Sequence, residues 1–360
     1  MWGMLALTSF ALADTFFISR LGTLPLAALG FCIPVIMFFM GVIFGLSVGT
    51  SSAVSRVYGS GDIEKAQRLS TDSLSLGVAI ITAACVIGFF STGHIFGLMG
   101  AGSELMPLIS RYMTIWYVGL PFLGALMMGN ACMRAMGDTR FVSFTMILLA
   151  VSNIVLDPFF IFGIGPFPEM GMAGATVTHV ISNYMVCMIS FYHLIYKNKI
   201  IKTDHIFHAG LVASWKRILH VAVPSIISNQ IAPVSAAIIT WMAAGFGKEA
   251  VAALGVASRI DSISTIIFYS TGAGVSIFTG QNFGAGNLGR IKEGVDTGSR
   301  YAIIWGLMVA AVLWVFAHQI PLLFDKNAAV AAWAGFLPPN VLTKYLVSSI
   351  ALASSPMPLR

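Results

Sequence analysis

Long apolar runs separated by short polar segments divide the chain into membrane-spanning elements. A bilayer core of roughly 30 Å needs about 20 apolar residues per helix, and this length predicts nine spans, with a weaker tenth within residues 327–352. The nine spans are 1–19, 27–57, 72–99, 106–134, 141–164, 173–196, 218–243, 251–280 and 297–324. The pattern therefore predicts an all-α polytopic membrane protein.

Composition excludes most other classes of protein. Hydrophobic residues make up 57% of the chain and charged residues only 9%, whereas about a quarter of an ordinary soluble domain is charged. Too few polar residues remain to coat a soluble enzyme. No nucleophile with a base beside it and no metal-ligand cluster is evident, so an intramembrane enzyme is not expected either.

The charges indicate membrane topology. The net charge is +6, but Lys and Arg lie in short clusters between apolar runs and form no basic face, so we expect no nucleic-acid partner. With a cytoplasmic N-terminus, thirteen Lys and Arg fall in inner loops and four in outer ones, as the positive-inside rule requires. The four are Arg20, Arg111, Lys248 and Lys326. We expect a multi-pass protein of the inner (plasma) membrane that acts as a monomer.

The two halves of the chain are related. At an offset of 225 residues, Ala27 to Gly30 aligns with Ala252 to Gly255, and Gly22, Gly49, Gly59 and Gly61 meet Gly247, Gly274, Gly284 and Gly286. We predict an N-terminal lobe (1–196, six helices), a basic cytoplasmic linker (197–217), a C-terminal lobe (218–337, four helices) and a divergent tail (338–360). Parallel repeats of this kind are common in secondary transporters.

Several segments resemble the multidrug and toxic compound extrusion (MATE) family of cation-coupled exporters, and most closely its DNA-damage-inducible F-like branch. They are Ala13-Asp14-Thr15, Arg134-Ala-Met-Gly-Asp138-Thr139, Asn153-Ile-Val-Leu-Asp157-Pro158, Gly171-Met-Ala-Gly-Ala175 and Gly280-Gln-Asn-Phe-Gly-Ala-Gly286. Each motif is weak alone, but their order and spacing over six helices make the resemblance specific.

The resemblance implies two six-helix lobes, alternating access, and export of cationic amphiphilic drugs driven by inward flow of protons or sodium. The family has twelve helices, whereas about ten are predicted here, and the repeat fades near Leu337. We therefore expect the second lobe to be incomplete, through truncation, a shift of reading frame or a divergent end.

Three acids lie well inside predicted spans: Asp14, Asp157 and Asp261. Ionisable groups in hydrocarbon are costly, so each is a functional candidate. Asp157 follows Asn153 by one helical turn and precedes Pro158, whose missing N–H frees a carbonyl upstream. These residues alone leave two interpretations open: a proton or sodium site, or an aspartate that only hydrogen-bonds neighbouring helices.

The resemblance assigns further residues to cation coupling. Asp14 and Asp157 match the acids of the family's first-lobe site, Asn130 and Asn153 match its amides, and Tyr112 and Thr178 match hydroxyl groups. Met146 is a candidate for the substrate cavity, since Met adapts its shape to varied ligands, and His179 is expected to be a packing residue. The expected coupling ion is a proton or sodium at Asp14 and Asp157, with no other metal and no cofactor.

Two alternatives to a drug exporter remain. A lipid-linked oligosaccharide flippase shares the broad fold but would line its cavity with Arg and Lys to bind pyrophosphate, and the spans contain few of either. An inactive fragment or assembly partner would agree with the abbreviated ends. Drug susceptibility of cells that express the chain would separate this second alternative from an exporter.

Overall fold

Every regular element in the described part of the chain is helical. The computed structural model describes three stretches of the chain, which are residues 2–201, 210–245 and 267–315. They fall into two compact units that divide after Pro233. The all-α fold predicted from the sequence is confirmed. The divergent tail, the tenth predicted span and Asp261 lie outside the described residues.

Nine helices are described in these stretches. They are α1 (Trp2–Ser19), α2 (Thr23–Gly59), α3 (Ile63–Leu98), α4 (Met106–Ala135), α5 (Thr139–Phe162), α6 (Met172–Tyr192), α7 (Leu211–Ala244), α8 (267–284 in its described part) and α9 (Leu288–Val315). A short π-helical turn, His193–Lys197, follows α6.

Six helical segments of the described residues are long and apolar enough to cross a membrane. They are Thr23–Gly59, Ile63–Leu98, Met106–Ala135, Thr139–Phe162, Met172–Lys197 and Leu211–Ala236. The protein is therefore a multi-pass membrane protein, as the apolar runs predict. Helix α2 has 37 residues, which span about 55 Å at 1.5 Å per residue. It is longer than the hydrocarbon core is thick, so it tilts or extends beyond the core.

Helices α3 and α5 begin at aspartates that cap them. The side chain of Asp62 accepts a hydrogen bond from the backbone N–H of Lys65 at 3.0 Å, and Asp138 accepts one from Phe141 at 3.2 Å. Both satisfy an N–H group that the first helical turn would leave unpaired. Helix α3 thus begins nine residues before the predicted span 72–99, because capping, and not hydropathy, sets where a helix starts.

Helix α4 is the centre of the first unit and packs against α2, α3, α5 and α6, while α1 packs along α5. Three rings fill the space between α2 and α4. Phe39 lies 5.5 Å from Trp116 and 5.6 Å from Tyr117, measured between ring centroids, and all three rings are buried. The four cysteines, Cys32, Cys85, Cys132 and Cys187, are buried and free, and they lie in the apolar interior as small core residues.

The first part of α7 packs closely on α2 within the same unit. Three glycines of α2, spaced four residues apart, face it: Gly41, Gly45 and Gly49. A Cβ atom placed on Gly45 would lie 2.6 Å from the backbone nitrogen of Ile226, so no larger residue fits there without movement of the backbone. Nearby, Gln230 Nε2 donates to the carbonyl oxygen of Phe38 at 2.9 Å. Small residues at this spacing allow the close approach typical of membrane helices.

In the second unit, α8 and α9 form a helical pair. Phe268, Ala302 and Val309 are buried in one apolar cluster, with Trp305 packed against it. A Cβ atom on Gly294 would lie 2.5 Å from the ring of Phe278, so this pair also relies on a glycine for close contact.

Candidate functional site

Two buried aspartates from different helices lie close together in the first unit. Asp157 of α5 is 0% exposed and Asp14 of α1 is 8% exposed, and their carboxyl groups interact electrostatically. Asp14 Oδ1 and Asp157 Oδ2 are buried and have no hydrogen-bond partner. Unpaired carboxylate oxygens are costly in a protein interior, and a proton or a cation at either oxygen would lower that cost.

A third helix contributes the hydroxyl group of Thr178. Its Oγ1 donates a hydrogen bond to Asp157 Oδ1 and also lies 2.7 Å from the carbonyl oxygen of Ala175. A hydroxyl group carries one proton, so Thr178 has two alternative acceptors. The structure thus places this α6 residue directly against Asp157, where the resemblance predicts a partner.

Asn153 lies one turn before Asp157 on α5 and is 2% exposed. Its Nδ2 donates to the carbonyl oxygen of Leu149 at 2.7 Å, while its Oδ1 is buried without a partner. Pro158 lies inside α5 and supplies no N–H group, so the carbonyl of Ile154 loses its usual helical donor. Polar oxygens therefore continue along α5 from the acid pair.

Tyr112 of α4 completes the group around the acids. The side chain is 2% exposed, and its hydroxyl group lies within electrostatic range of Asp14 and Asp157. With Tyr112 and Thr178, side chains from four helices, α1, α4, α5 and α6, contribute to one polar centre. The sequence motifs lie far apart along the chain, and the structure brings these four residues together.

Asn130 and Met146 lie elsewhere in the unit. Asn130 Oδ1 accepts a hydrogen bond from Thr145 Oγ1 at 3.2 Å, and Thr145 precedes Asp157 by twelve residues of α5, or about 18 Å. Met146 packs against α1 at Gly3, where an added Cβ atom would lie 2.8 Å from its sulfur. The coupling role of Asn130 and the cavity role of Met146 stay predictions.

His179 faces α1. Its ring lies 4.8 Å from that of Phe10, between centroids, in agreement with a packing residue. Its Nε2 is nevertheless buried without a hydrogen-bond partner. Phe10 precedes Asp14 by one turn of α1, so His179 lies on the border of the acid site.

The sequence reasoning missed one buried acid. Asp72 of α3 is 0% exposed, and its backbone carbonyl accepts a hydrogen bond from Trp215 Nε1 at 3.1 Å. Asp72 is the first residue of the predicted span 72–99, and an acid at the end of a span is expected to reach water. The run of small polar residues from Ser70 to Ser75 was the available signal, because such residues line polar helix contacts in membranes.

Arg134, near the end of α4, makes a specific contact with another helix. Its Nη2 donates to Ser47 Oγ of α2 at 2.9 Å. Ser47 lies twelve residues before the end of α2, so the guanidinium group reaches between the helices. This contact ties the last turn of α4 to the middle of α2.

The donor atoms around the acid pair suit a hard cation. Carboxylate, carbonyl and amide oxygens are typical ligands of such ions, and the unpartnered oxygens of Asp14, Asn153 and Asp157 are of this type. In the described ranges, no three His, Cys, Asp or Glu side chains come together as a transition-metal site would require. Oxygens of this kind can take up a proton or a weakly bound cation.

A bundle of spanning helices that encloses buried acids with free oxygens is typical of membrane transporters. The MatE family model matches residues 1–159 and 224–355, and the chain belongs to the MatE family. The resemblance to this family is thereby confirmed, while the branch and the incomplete second lobe stay predictions. Members of this family are transporters that act on small molecules in the lipid bilayer, and not enzymes, so the exclusion of an enzyme is confirmed as well.

Three similar proteins illustrate the range of the family. The FAD transporter of Shewanella oneidensis is 34% identical over 334 residues, which cover 93% of this chain and 74% of that protein. The multidrug export protein MepA of Staphylococcus saprophyticus is 23% identical over 97% of this chain and 77% of its own length. The crystal structure of the Vibrio cholerae MATE transporter VcmN in the bent form has a TM-score of 0.87 and 25% identity, covering 98% of this chain and 81% of that one.

Proposed function

We propose that the chain is an antiporter that exports organic solutes in exchange for protons or sodium, with Asp157 and Asp14 as the exchange site. One observation carries the proposal: two buried carboxyl groups on different helices interact while each keeps an unpartnered oxygen. Two negative charges at short range in a medium of low dielectric constant repel strongly. The pair is therefore relieved by a proton on one acid or by a cation between them.

The proposed cycle uses the alternative acceptors of Thr178. When Asp157 is charged, Thr178 donates to it. When Asp157 takes up a proton from outside, the hydroxyl group turns toward the carbonyl oxygen of Ala175 and the acid loses a helix-to-helix bond. The contacts of α1 through Asp14 then rearrange, and bound solute is displaced outward. Release of the proton to the inside resets the site by alternating access.

Polar groups along α5 support a route for that release. Asn153 lies one turn from Asp157 and keeps a free Oδ1, and Asn130, which meets α5 at Thr145, keeps a free Nδ2. Water molecules between these groups would complete a path along the first lobe. In this proposal Asn130 acts on proton movement at a distance from the acids.

The substrates that fit an acid pair best are cationic amphiphilic compounds. An unprotonated carboxylate attracts an organic cation, and protonation removes that attraction, so ion and substrate exclude each other. A relative with 23% identity is named as a multidrug export protein, MepA, which supports drug-like compounds as the substrates. We further propose that the chain lies in the inner membrane as a monomer with a cytoplasmic N-terminus, since the positive-inside count favours that orientation.

A second candidate substrate is FAD, because a relative with 34% identity is a FAD transporter. FAD carries phosphate groups, so its binding requires cationic side chains that an exporter of organic cations does not need. Transport of a cationic dye and of FAD by the same preparation would decide between the two candidates.

The test is export from proteoliposomes that contain the purified chain, with either a proton or a sodium gradient imposed. The assay follows ethidium and FAD in parallel. We expect gradient-driven ethidium movement with the unchanged chain and none above empty vesicles with Asp157→Asn. Glu104→Gln removes an exposed acid between α3 and α4 and is the matched control, which should keep full activity.

Two results would contradict the proposal. If Asp157→Asn kept gradient-driven transport, the exchange site would be elsewhere. If the unchanged chain moved neither ethidium nor FAD under either gradient, the alternative of an inactive chain would be favoured. The gradient that drives movement identifies the coupling ion.

A further inference from the structure

A groove of about 400 Å³ opens where α5 begins and α6 ends. Its lining is formed by charged, polar and aromatic side chains: Asp138, Arg140, Phe141, Phe144, His193, Lys197 and Asn198. None of these residues takes part in the acid site. The groove lies at the ends of two segments that are long and apolar enough to span a membrane, and the ends of such segments are expected near the lipid headgroups.

The single acid in this groove already has hydrogen-bond donors at both of its oxygens. Asp138 Oδ2 accepts from Asn198 Nδ2 at 2.9 Å and lies 3.3 Å from His193 Nε2, while Oδ1 accepts from the backbone of Phe141. Burial raises the pKa of this carboxyl group, but these hydrogen bonds outweigh burial, so its pKa lies below the usual value. The carboxylate is charged and engaged at neutral pH, and it offers little to an additional cation.

The two cations of the groove are not engaged in this way. Arg140 and Lys197 are exposed, and no hydrogen bond or ion pair involves either side chain among the described residues. Arg140, Lys197 and Asp138 together give the groove a formal charge of +1. An anion that reaches the groove meets an Arg and a Lys, which are the side chains proteins use to bind phosphate.

The remaining side chains are suited to the apolar part of a lipid. The ring of His193 stacks on Phe141 with centroids 3.6 Å apart and planes 5° apart, and Phe144 is 51% exposed. On the outer face of the π-helical turn, Tyr192 and Tyr196 are 66% and 69% exposed. Exposed Tyr residues at the end of a span are typical of the membrane interface.

The π-helical turn produces this arrangement. The N–H of Asn198 donates to the carbonyl oxygen of His193 at 3.0 Å, five residues back, and Ile200 N–H returns to the carbonyl of Leu194 at 2.8 Å. The chain then continues beside α3, where Gln67 Nε2 donates to the carbonyl of Lys199 at 2.7 Å. Wide turns of this kind often occur at functional sites, and here the turn directs His193, Lys197 and Asn198 into one groove.

We propose that this groove binds the phosphate headgroup of an anionic phospholipid, with Arg140 and Lys197 as the phosphate ligands and Phe144 beside the acyl chains. Basic pockets at the ends of spanning helices bind anionic headgroups in this way. The occupant is a lipid because the groove is open to the apolar surface through Phe144, whereas a site for free phosphate has no use for an exposed aromatic wall.

The test is native mass spectrometry of the purified chain with phosphatidylglycerol or phosphatidylcholine added at equal concentration. Each cation near an anionic headgroup strengthens its binding by about fivefold, so Arg140→Gln with Lys197→Gln should weaken phosphatidylglycerol binding by about 25-fold. Phosphatidylcholine binding should not change. Both side chains are exposed, so the fold should be kept, and thermal unfolding checks this.

The matched control removes two exposed cations outside the groove at the same end of the unit. Lys65→Gln with Arg68→Gln should weaken phosphatidylglycerol binding by no more than about twofold, the effect of general surface charge. An equal loss in both double variants would overturn the proposal. Soluble glycerol 1-phosphate, in about 100-fold excess, should not displace the lipid; if it did, the groove would be a site for free phosphate and the lipid would not be its ligand.

Discussion

The turn between α2 and α3 and the turn between α8 and α9 have the same backbone, although they lie 225 residues apart. Gly61 has φ of 82° and Gly286 has φ of 73°. The N–H of Gly61 donates to Tyr58 and that of Gly286 to Phe283, both at 3.1 Å. The following helices begin at Ile63 and Leu288, which are again 225 residues apart.

The polar content of the two repeats differs where their backbones agree. Position 14 is an aspartate, while the equivalent position 239 is an exposed isoleucine. The buried Asp72 of α3 corresponds to Thr297 of α9, and Gly45 of α2 corresponds to Ser270 of α8. The duplication thus preserved the positions of turns and helices, while the acids that define the candidate site belong to the first repeat.

Exchanging the diverged acid should have the largest effect. Asp14→Ile gives the first repeat the residue of the second, and we expect gradient-driven transport to fall by about 100-fold, as when a group that must exchange a proton is lost. Ile239→Asp in the same chain should not restore it, because an acid without a partner in the membrane costs about 3 kcal/mol. Proteoliposome transport measures both, and recovery in the double variant would show that the two positions are interchangeable.

The next effect concerns the glycine contact of α2. Gly45→Ser introduces the residue of the second repeat against the backbone of Ile226, and we expect a loss of about 2 kcal/mol of stability from overpacking. Thermal unfolding of the purified chain measures it. Gly30→Ser is the control, since no atom lies within 4 Å of a Cβ atom at Gly30; equal destabilisation of both variants would show that the contact is not the cause.

The turn that occurs in both repeats predicts two equal and smaller losses of stability. Gly61→Ala and Gly286→Ala each force a side chain into a positive φ, which costs about 1 kcal/mol. Neither added Cβ atom would meet a neighbour within 4 Å, so no steric clash is added. Gly289→Ala, equally open and without a positive φ, should be neutral or slightly stabilising. Unequal losses of stability in the Gly61 and Gly286 variants, measured by thermal unfolding, would show that the two turns are not equivalent.

The smallest effect concerns the two capping aspartates of the first repeat, Asp62 and Asp138. In the second repeat, Asn287 occupies the position of Asp62. Asp138→Asn should cost less than about 1 kcal/mol at neutral pH, since Asn also caps helices well. The pKa of Asp138 is lowered in the folded chain, so its charge stabilises the fold above the ordinary Asp value of about 3.9 and stops doing so as the pH falls through the lowered value. Unfolding measured against pH should show the variant and the unchanged chain converging in acid; a constant difference would contradict this.

Much of the fold was predictable from the sequence because hydropathy and glycine turns are local signals. The run of apolar residues locates α1 to α6, and the glycines mark the repeated turns. The first and last residues of the helices were harder to predict. Helix α3 extends nine residues beyond its predicted span because Asp62 caps a polar first turn. Helix α7 begins at Leu211 and not at residue 218, and Trp215 in its early turns donates to the carbonyl oxygen of Asp72 of α3.

The site was predictable only in part because side-chain partners depend on tertiary contacts. Asp14, Asp157 and Thr178 were identified by motifs, and the structure brings them together. Asp72 is the first residue of the predicted span 72–99, and hydropathy does not show that a residue at the end of a span can lie under a neighbouring helix. The distance of Asn130 from Asp157 follows from the register between α4 and α5, which no single motif contains.

The burial of Cys32, Cys85, Cys132 and Cys187 has a practical consequence for measuring the transport cycle. Thiol reagents attack accessible thiolates, so buried cysteines in apolar surroundings react poorly. Cysteines introduced at the exposed positions Ser60 and Asn287 would therefore be labelled while the native cysteines stay unlabelled. No native thiol would have to be removed. Spin labels at these equivalent turns would report, as a single distance, how the two repeats move during each turnover.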